Sequence, residues 1–320
     1  MKPRYLSLTP LVSWMEKERP IEWQQEFGRS AELEVEIGFG LGDFLVRQAL
    51  EEPEKDFVGI EIGWVPVRRA LRKTALAGVR NVRIIKAEAQ VAFERLFSEK
   101  SLGRAYALFP CPWPKKKHVK HRLFSCAFLK LLNSRLKDDG EVSIVTDHLP
   151  YFEWVQSQVP GTGLEAYPKT VAPQFSTKYE RKWEALGQQQ FYELRLIKRQ
   201  HVKVPLKEDI RVRTYSVDHF EPEGFMPSDE RGKITVEFKE ILYDPKREKA
   251  LVRALVAEDS LIQNPWIEIT RVEGSWHIRP AKGSIMVPTA GVQRALDLVR
   301  DATLSRKNEG LPPVTPEKDP

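Results

Sequence analysis

Residues 32–42 read ELEVEIGFGLG. Glu32–Gly38 alternates as a β-strand does, and the glycines at 38, 40 and 42 form a tight turn into a helix. That helix, Gly42–Glu51, carries Phe44, Leu45, Ala49 and Leu50 on one side. The pattern then repeats. Phe57–Ile62 is a β-branched strand, and Val65–Ala77 is a helix with Pro66 near its start, where a missing N–H does no harm. Val82–Lys86 and Ala105–Phe109 are further strands. Phe124–Leu136 is an amphipathic helix stopped by Asp138-Asp139-Gly140. Strand Glu141–Thr146, helix Leu149–Val159 and strand Phe191–Lys198 complete the block. Strands interleaved with helices imply crossovers, so the fold class is α/β with a mainly parallel sheet and helices on both faces. Sites on such sheets gather at the C-terminal ends of the strands.

Outside this block the character changes. Residues 200–230 read as loop, with Pro205, Pro222 and Pro227. Strands are expected at Ile234–Phe238, Ala250–Ala257, Trp266–Arg271 and Ser275–Arg279, with a first hairpin turn at Tyr243-Asp244-Pro245 and a helix at Gly291–Leu304. This is a small α+β domain. The expected organisation is an N-terminal extension (1–30), the α/β domain (31–199), an accessory domain (200–305) and a polar, Pro-rich, disordered tail (306–320). The chain has 320 residues, 41% of them hydrophobic and 30% charged, with a net charge of +6. That excludes a collagen, a disulfide scaffold and a coiled-coil rod. No apolar run approaches the length of a membrane span. MKPRYLSLTPLVSW lacks the apolar run and small-residue cleavage site of an export signal. Two cysteines, Cys111 and Cys126, suit a reducing compartment, so a cytoplasmic protein is expected.

Three motifs carry chemistry. Glu36 stands beside the glycine turn, Glu61 ends the second strand and Glu88 follows the third. A dinucleotide fingerprint wants glycine where Asp43 stands, and a pyrophosphate avoids the charge of Glu36. S-adenosylmethionine has no phosphates and carries a cationic sulfonium and an amino group, which acids suit. Glu36, Gly38 and Gly40 are therefore candidate cofactor contacts. Glu61 is placed to accept both ribose hydroxyls, and Glu88 to serve the adenine side. The bland alternative for the turn alone is a plain strand–helix connection.

The second motif is FPCPWPKKKHVKHR, residues 109–122. Pro110, Pro112 and Pro114 stiffen a loop, Trp113 offers a flat apolar surface, and five Lys/Arg residues without an acid can neutralise phosphates. An isolated basic run is usually a solvated face. At a parallel-sheet strand end, opposite the cofactor acids, it points to RNA. Cys111, His118, His121 and Cys126 match no common zinc spacing, so no metal is expected. In the third motif, Thr146-Asp147-His148 ends a strand and Thr177–Lys182 (TKYERK) lies in a loop before the last one. Asp147, Thr177 and Glu180 can accept from the N1–H and N2 amine of a guanine. Taken alone, Glu180 reads as a surface ion pair with Lys178 or Arg181.

Together these motifs resemble the bacterial tRNA (guanine-N7)-methyltransferase family. The resemblance covers about residues 20–198, from Ile21-Glu22-Trp23 through EIGFGLG, VGIEI, FPCPWPKKKHVKHRL, TDH and TKYERK. It implies a class I methyltransferase fold, S-adenosylmethionine as methyl donor and tRNA as substrate, with the variable-loop guanine (nucleotide 46) as target. It assigns Glu36, Glu61 and Glu88 to the cofactor, and Lys115, Asp147 and Thr177, Lys178, Tyr179 and Glu180 to the substrate. In the family's loop an Asp that is both catalytic and cofactor-binding stands where this chain has Cys111. Glu88 stands where Asp or Asn is more usual. The competing reading is a tRNA-binding relative that methylates weakly or not at all. A nicotinamide oxidoreductase is disfavoured by Asp43. The basic accessory domain is expected to add tRNA contact or stability, in a monomer or homodimer.

Overall fold

A computed structural model describes residues 6–305; the expected tail, 306–320, lies outside the described residues. In chain order the elements are α1 (Trp23–Phe27), β1 (Leu33–Ile37), α2 (Asp43–Glu51), β2 (Asp56–Glu61), α3 (Trp64–Ala77), β3 (Val82–Lys86), α4 (Ala89–Arg95), β4 (Leu102–Leu108), α5 (Cys126–Arg135), β5 (Leu136–Thr146), α6 (Leu149–Gln158), β6 (Leu164–Val171), α7 (Lys178–Glu184) and β7 (Phe191–Lys198). They are followed by β8 (Tyr215–Val217), β9 (Ile234–Asp244), β10 (Lys249–Glu258), β11 (Leu261–Gln263), β12 (Trp266–Val272), β13 (Ser275–Pro280) and α8 (Ala290–Ser305). The described residues form two compact units that divide between Glu208 and Asp209.

The first unit is built on a seven-stranded sheet of order β3-β2-β1-β4-β5-β7-β6. Its first five strands are parallel, and β7 runs antiparallel to both β5 and β6. This is the arrangement that the resemblance to class I methyltransferases implies. The chain winds outward from β1 to β3 and then returns to place β4 on the other side of β1. The switch point therefore opens between the C-terminal ends of β1 and β4, where a crevice forms. Val35, Val58, Ile84 and Ala105 are fully buried along the central strands. Phe39, Leu45, Val67, Ala70 and Leu71 join α2 and α3 in one core cluster. All of β1 is buried, including two acids. Glu34 is compensated by Lys55 at 2.8 Å and the Tyr106 hydroxyl at 2.9 Å; Glu36 is treated with the site.

Several elements depart from the sequence reading. α4 and β6 were not expected. β6 is an edge strand, where Pro168 costs no ladder bond and most side chains are exposed, so its sequence lacks apolar alternation. Residues 178–184 are helical rather than loop. Asp138-Asp139-Gly140 does not end in a turn but runs within β5. Tyr243 and Asp244 still belong to β9, with Asp244 opposite Lys249. The hairpin turn lies at residues 245–248, where Asp244 Oδ1 accepts the N–H groups of Lys246 and Arg247 at 3.0 and 3.3 Å.

Residues beyond the expected boundary at 199 remain part of the first unit. Asn133 holds Gln200 and Val202, and Ser134 holds Val204. Arg135, 1% exposed, donates to the carbonyls of Phe93 and Val204, both at 2.9 Å. The second unit is an antiparallel sheet against α8. Ala250, Val252, Ala254 and Val256 of β10 form the buried face with Val292, Ala295, Leu296 and Val299 of the helix. Among the described residues no helix is long and apolar enough to cross a membrane.

Candidate active site

The turn after β1 forms one wall of a cavity of about 250 Å³ at the switch point. Gly40, at φ +55°, has open space where a side chain would stand, and its N–H donates to Glu61 Oε2 at 3.1 Å. Gly42 packs against α3 so closely that an added Cβ would lie 2.8 Å from the Cβ of Ala70. Glu61 also accepts the N–H groups of Ile62 and Gly63, both at 3.0 Å. A carboxylate has about four acceptor positions. Three are used, one by the glycine turn and two by the residues that follow β2, so Glu61 is first an organiser of the turn.

Glu36 lines the same cavity at 3% exposure, and its Oε2 is buried without a hydrogen-bond partner. Burial pushes its carboxyl up from 4.5 to about 8. The Leu45 N–H and Arg47 act against that shift, and the charges of Asp43 and Glu61 add to it. Burial thus holds the carboxyl in its neutral form, and a cation in the cavity would favour its ionisation. Thr177, Lys178 and Tyr179 also line the cavity, as does Arg69 of α3. Phe44, Leu108 and Phe109 are among its apolar lining residues.

The position of α7 explains how residues far along the chain arrive here. Asp43 at the start of α2 pairs with Lys73 of α3 and, at 3.2 Å, with Arg181 of α7. Thr177 caps α7 by accepting the Glu180 N–H at 3.1 Å. Glu180 is 1% exposed, and its Oε1 accepts the N–H groups of Gln174 and Phe175 at 2.7 and 3.0 Å. The Glu180 carboxylate thus holds the preceding loop from behind, a placement different from the expected guanine contact.

Phe109 leaves β4 through a backbone bond from its N–H to Val145 at 2.7 Å. Cys111 is exposed, and the Trp113 ring sits 5.6 and 5.3 Å from those of His118 and His121. Lys115, Lys116, Lys117 and Lys120 are exposed along a short 3₁₀ helix and its cap. Asp147 is half-buried just beyond β5. Glu88 is exposed at the start of α4. Of the expected residues, the cavity gathers Glu36, Gly38, Gly40, Thr177, Lys178 and Tyr179, with Glu61 one hydrogen bond away. Glu88, Cys111, Lys115, Asp147 and Glu180 are not among its lining residues. Among the described residues no group of three or more His, Cys, Asp or Glu side chains could hold a metal ion. Sequence reading missed Arg69, although it lies one helical turn beyond Val65, which also lines the cavity.

The profile of the family described as "Putative methyltransferase" matches residues 30–193. Three curated proteins named tRNA (guanine-N(7)-)-methyltransferase are similar to this chain. The one from Chlorobium phaeobacteroides is 42% identical over 171 residues, covering 53% of this chain and 84% of that protein. The one from Aquifex aeolicus is 30% identical over 299 residues, covering 90% and 97%. The one from Thermus thermophilus is 33% identical over 260 residues, covering 79% and 82%.

Proposed function

The chain belongs to the tRNA (guanine-N7)-methyltransferase family, and from that premise we propose that it methylates N7 of guanine 46 in the variable loop of tRNA. One observation carries the reading at this site: Glu36 presents a buried, unpartnered carboxylate oxygen to a cavity at the switch point. That arrangement fits S-adenosyl-L-methionine, which when bound supplies an electrophilic methyl group on a cationic sulfur. Glu36 would neutralise the donor's positive charge, and Arg69 and Lys178, which line the same cavity, would hold its carboxylate. Glu61 keeps the glycine turn in place, with room to accept from a ribose hydroxyl.

Guanine N7 has a free lone pair, so no residue of the chain must remove a proton before attack. The chain's task is alignment and exclusion of water. The product ring is cationic, and negative charge beside it lowers the barrier. Asp147, just beyond β5, is the carboxylate assigned to that role. The exposed lysines 115–117 and 120 bind the tRNA backbone, and the reaction takes place in the cytoplasm.

The test is mass-spectrometric detection of 7-methylguanosine after incubation with unmodified tRNA and the donor. The product is expected with wild-type tRNA and lost with a transcript carrying adenine at position 46. Equal methylation of that transcript would reject the position. A second reading, a tRNA-binding relative of weak activity, is favoured by Cys111. Cys111→Asp is expected to raise the rate by about tenfold or more if charge at this point limits transfer. No gain means that the aspartate role does not carry to this chain.

A further inference from the structure

Helix α3 turns one side to the core and the other to solvent. Val67, Ala70, Leu71 and Thr74 are buried, while Trp64, Val65, Arg68 and Arg72 are exposed. Arg68 and Arg72 stand one turn apart on that exposed side, and α3 contains no acid. Among the described residues neither guanidinium has a hydrogen-bond, ion-pair or ring partner. Arg29, Arg104, Arg181 and Arg195 of the same unit are each paired with a carboxylate. Asp43 engages α3 through Lys73 and is shared with Arg181. Like charges one turn apart repel each other, and an anion lying across both would relieve that repulsion.

The helix begins directly after β2, and the basic loop follows β4; β2 and β4 flank β1 in the parallel part of the sheet. Both segments therefore leave the same edge of the sheet, on either side of β1. Val65 and Arg69 line the switch-point cavity, so the side of α3 that carries Arg68 and Arg72 starts at the cavity rim. From there it leads away by about 1.5 Å per residue. We propose that Arg68 and Arg72 form a second phosphate-binding surface for tRNA, across β1 from the lysines of the basic loop. A guanidinium can donate to two phosphate oxygens at once. Trp64, exposed one turn before Arg68, offers a face for an unpaired base. The inference rests on the tRNA reading of the site. Cations interleaved with exposed Trp64, Val65 and Leu76 would also suit an acidic lipid surface. Position favours RNA, because a base entering the cavity brings its own backbone to the rim.

The full chain carrying Arg68→Ala and Arg72→Ala tests this surface. Alanine is the stronger helix former, so α3 is kept, and neither residue lines the cavity. Titrated with unmodified tRNA over a range of salt, the variant should bind about tenfold more weakly. The slope of log affinity against log salt should become shallower by about 1–2. Calorimetric binding of S-adenosylhomocysteine should stay within about twofold, as expected for residues outside the cavity. Lys137→Glu lowers the net charge equally, at an exposed position near the start of β5 and hence at the far edge of the sheet. It should leave the salt slope unchanged. An unaltered slope in the arginine variant, or an equal change in Lys137→Glu, overturns the surface. So does binding to vesicles of equimolar phosphatidylserine and phosphatidylcholine that the arginine variant loses while its tRNA binding is unaltered, which assigns the face to lipid. If the unmodified chain itself binds no tRNA, the functional reading fails, and this surface falls with it.

Discussion

Glu36 combines a cost in stability with a use in binding. Its carboxyl is raised from 4.5 to about 8, so between those values the folded chain holds a proton that the unfolded chain has released. Stability is therefore fully present below the lower value and declines as pH rises toward the higher one, by roughly 5 kcal/mol at most. Glu36→Gln is expected to raise Tm above about pH 8 and to flatten the Tm–pH profile between about pH 5 and 8. The same variant should bind S-adenosyl-L-methionine at least about tenfold more weakly at about pH 8, where the native carboxylate meets a cation. Below that pH the native affinity should fall more steeply than the variant's, because the native site must first lose its proton. Calorimetric titrations across pH measure both; identical slopes in the two proteins would remove Glu36 from the donor's charge balance.

At the scale of elements, α7 reaches the cofactor cavity because a buried acid fixes the segment before it. Glu180→Ala leaves the N–H groups of Gln174 and Phe175 without their acceptor. The expected cost is about 1–3 kcal/mol in denaturant unfolding. Binding of S-adenosylhomocysteine should weaken with it, since Lys178 and Tyr179 lose their support. A loss confined to tRNA binding or kcat, with cofactor binding intact, would instead make Glu180 a reader of the base. The capping pattern Thr177-Lys178-Tyr179-Glu180 was present in the sequence as a helix-start signal. In sequence it still reads as a loop, because the segment is short and largely charged, with no apolar face long enough to reveal its helical period.

For the whole molecule, the two units differ in what they expose to a test. A chain ending at Glu208 retains every partner of Arg135 and should fold. A chain ending at Lys198 removes the carbonyl of Val204 from that buried guanidinium and should lose about 3 kcal/mol or more. We propose that the second unit adds phosphate contacts. The 1–208 chain should then show weaker tRNA binding and a shallower decline with salt than the full chain, and an unchanged salt slope would assign the unit to stability alone. The mainly parallel α/β sheet, the glycine turn and the acids at the tips of β1 and β2 were legible in the sequence. Each follows from neighbours a few residues apart, through strand alternation, glycine backbone freedom and the apolar stripes of α2 and α3. The isolation of Glu36 Oε2 and the inward turn of Glu180 were not legible. They arise where segments distant in the chain exclude water from one another, and burial, which sets the cost of an unpaired polar atom, exists only once those segments have packed.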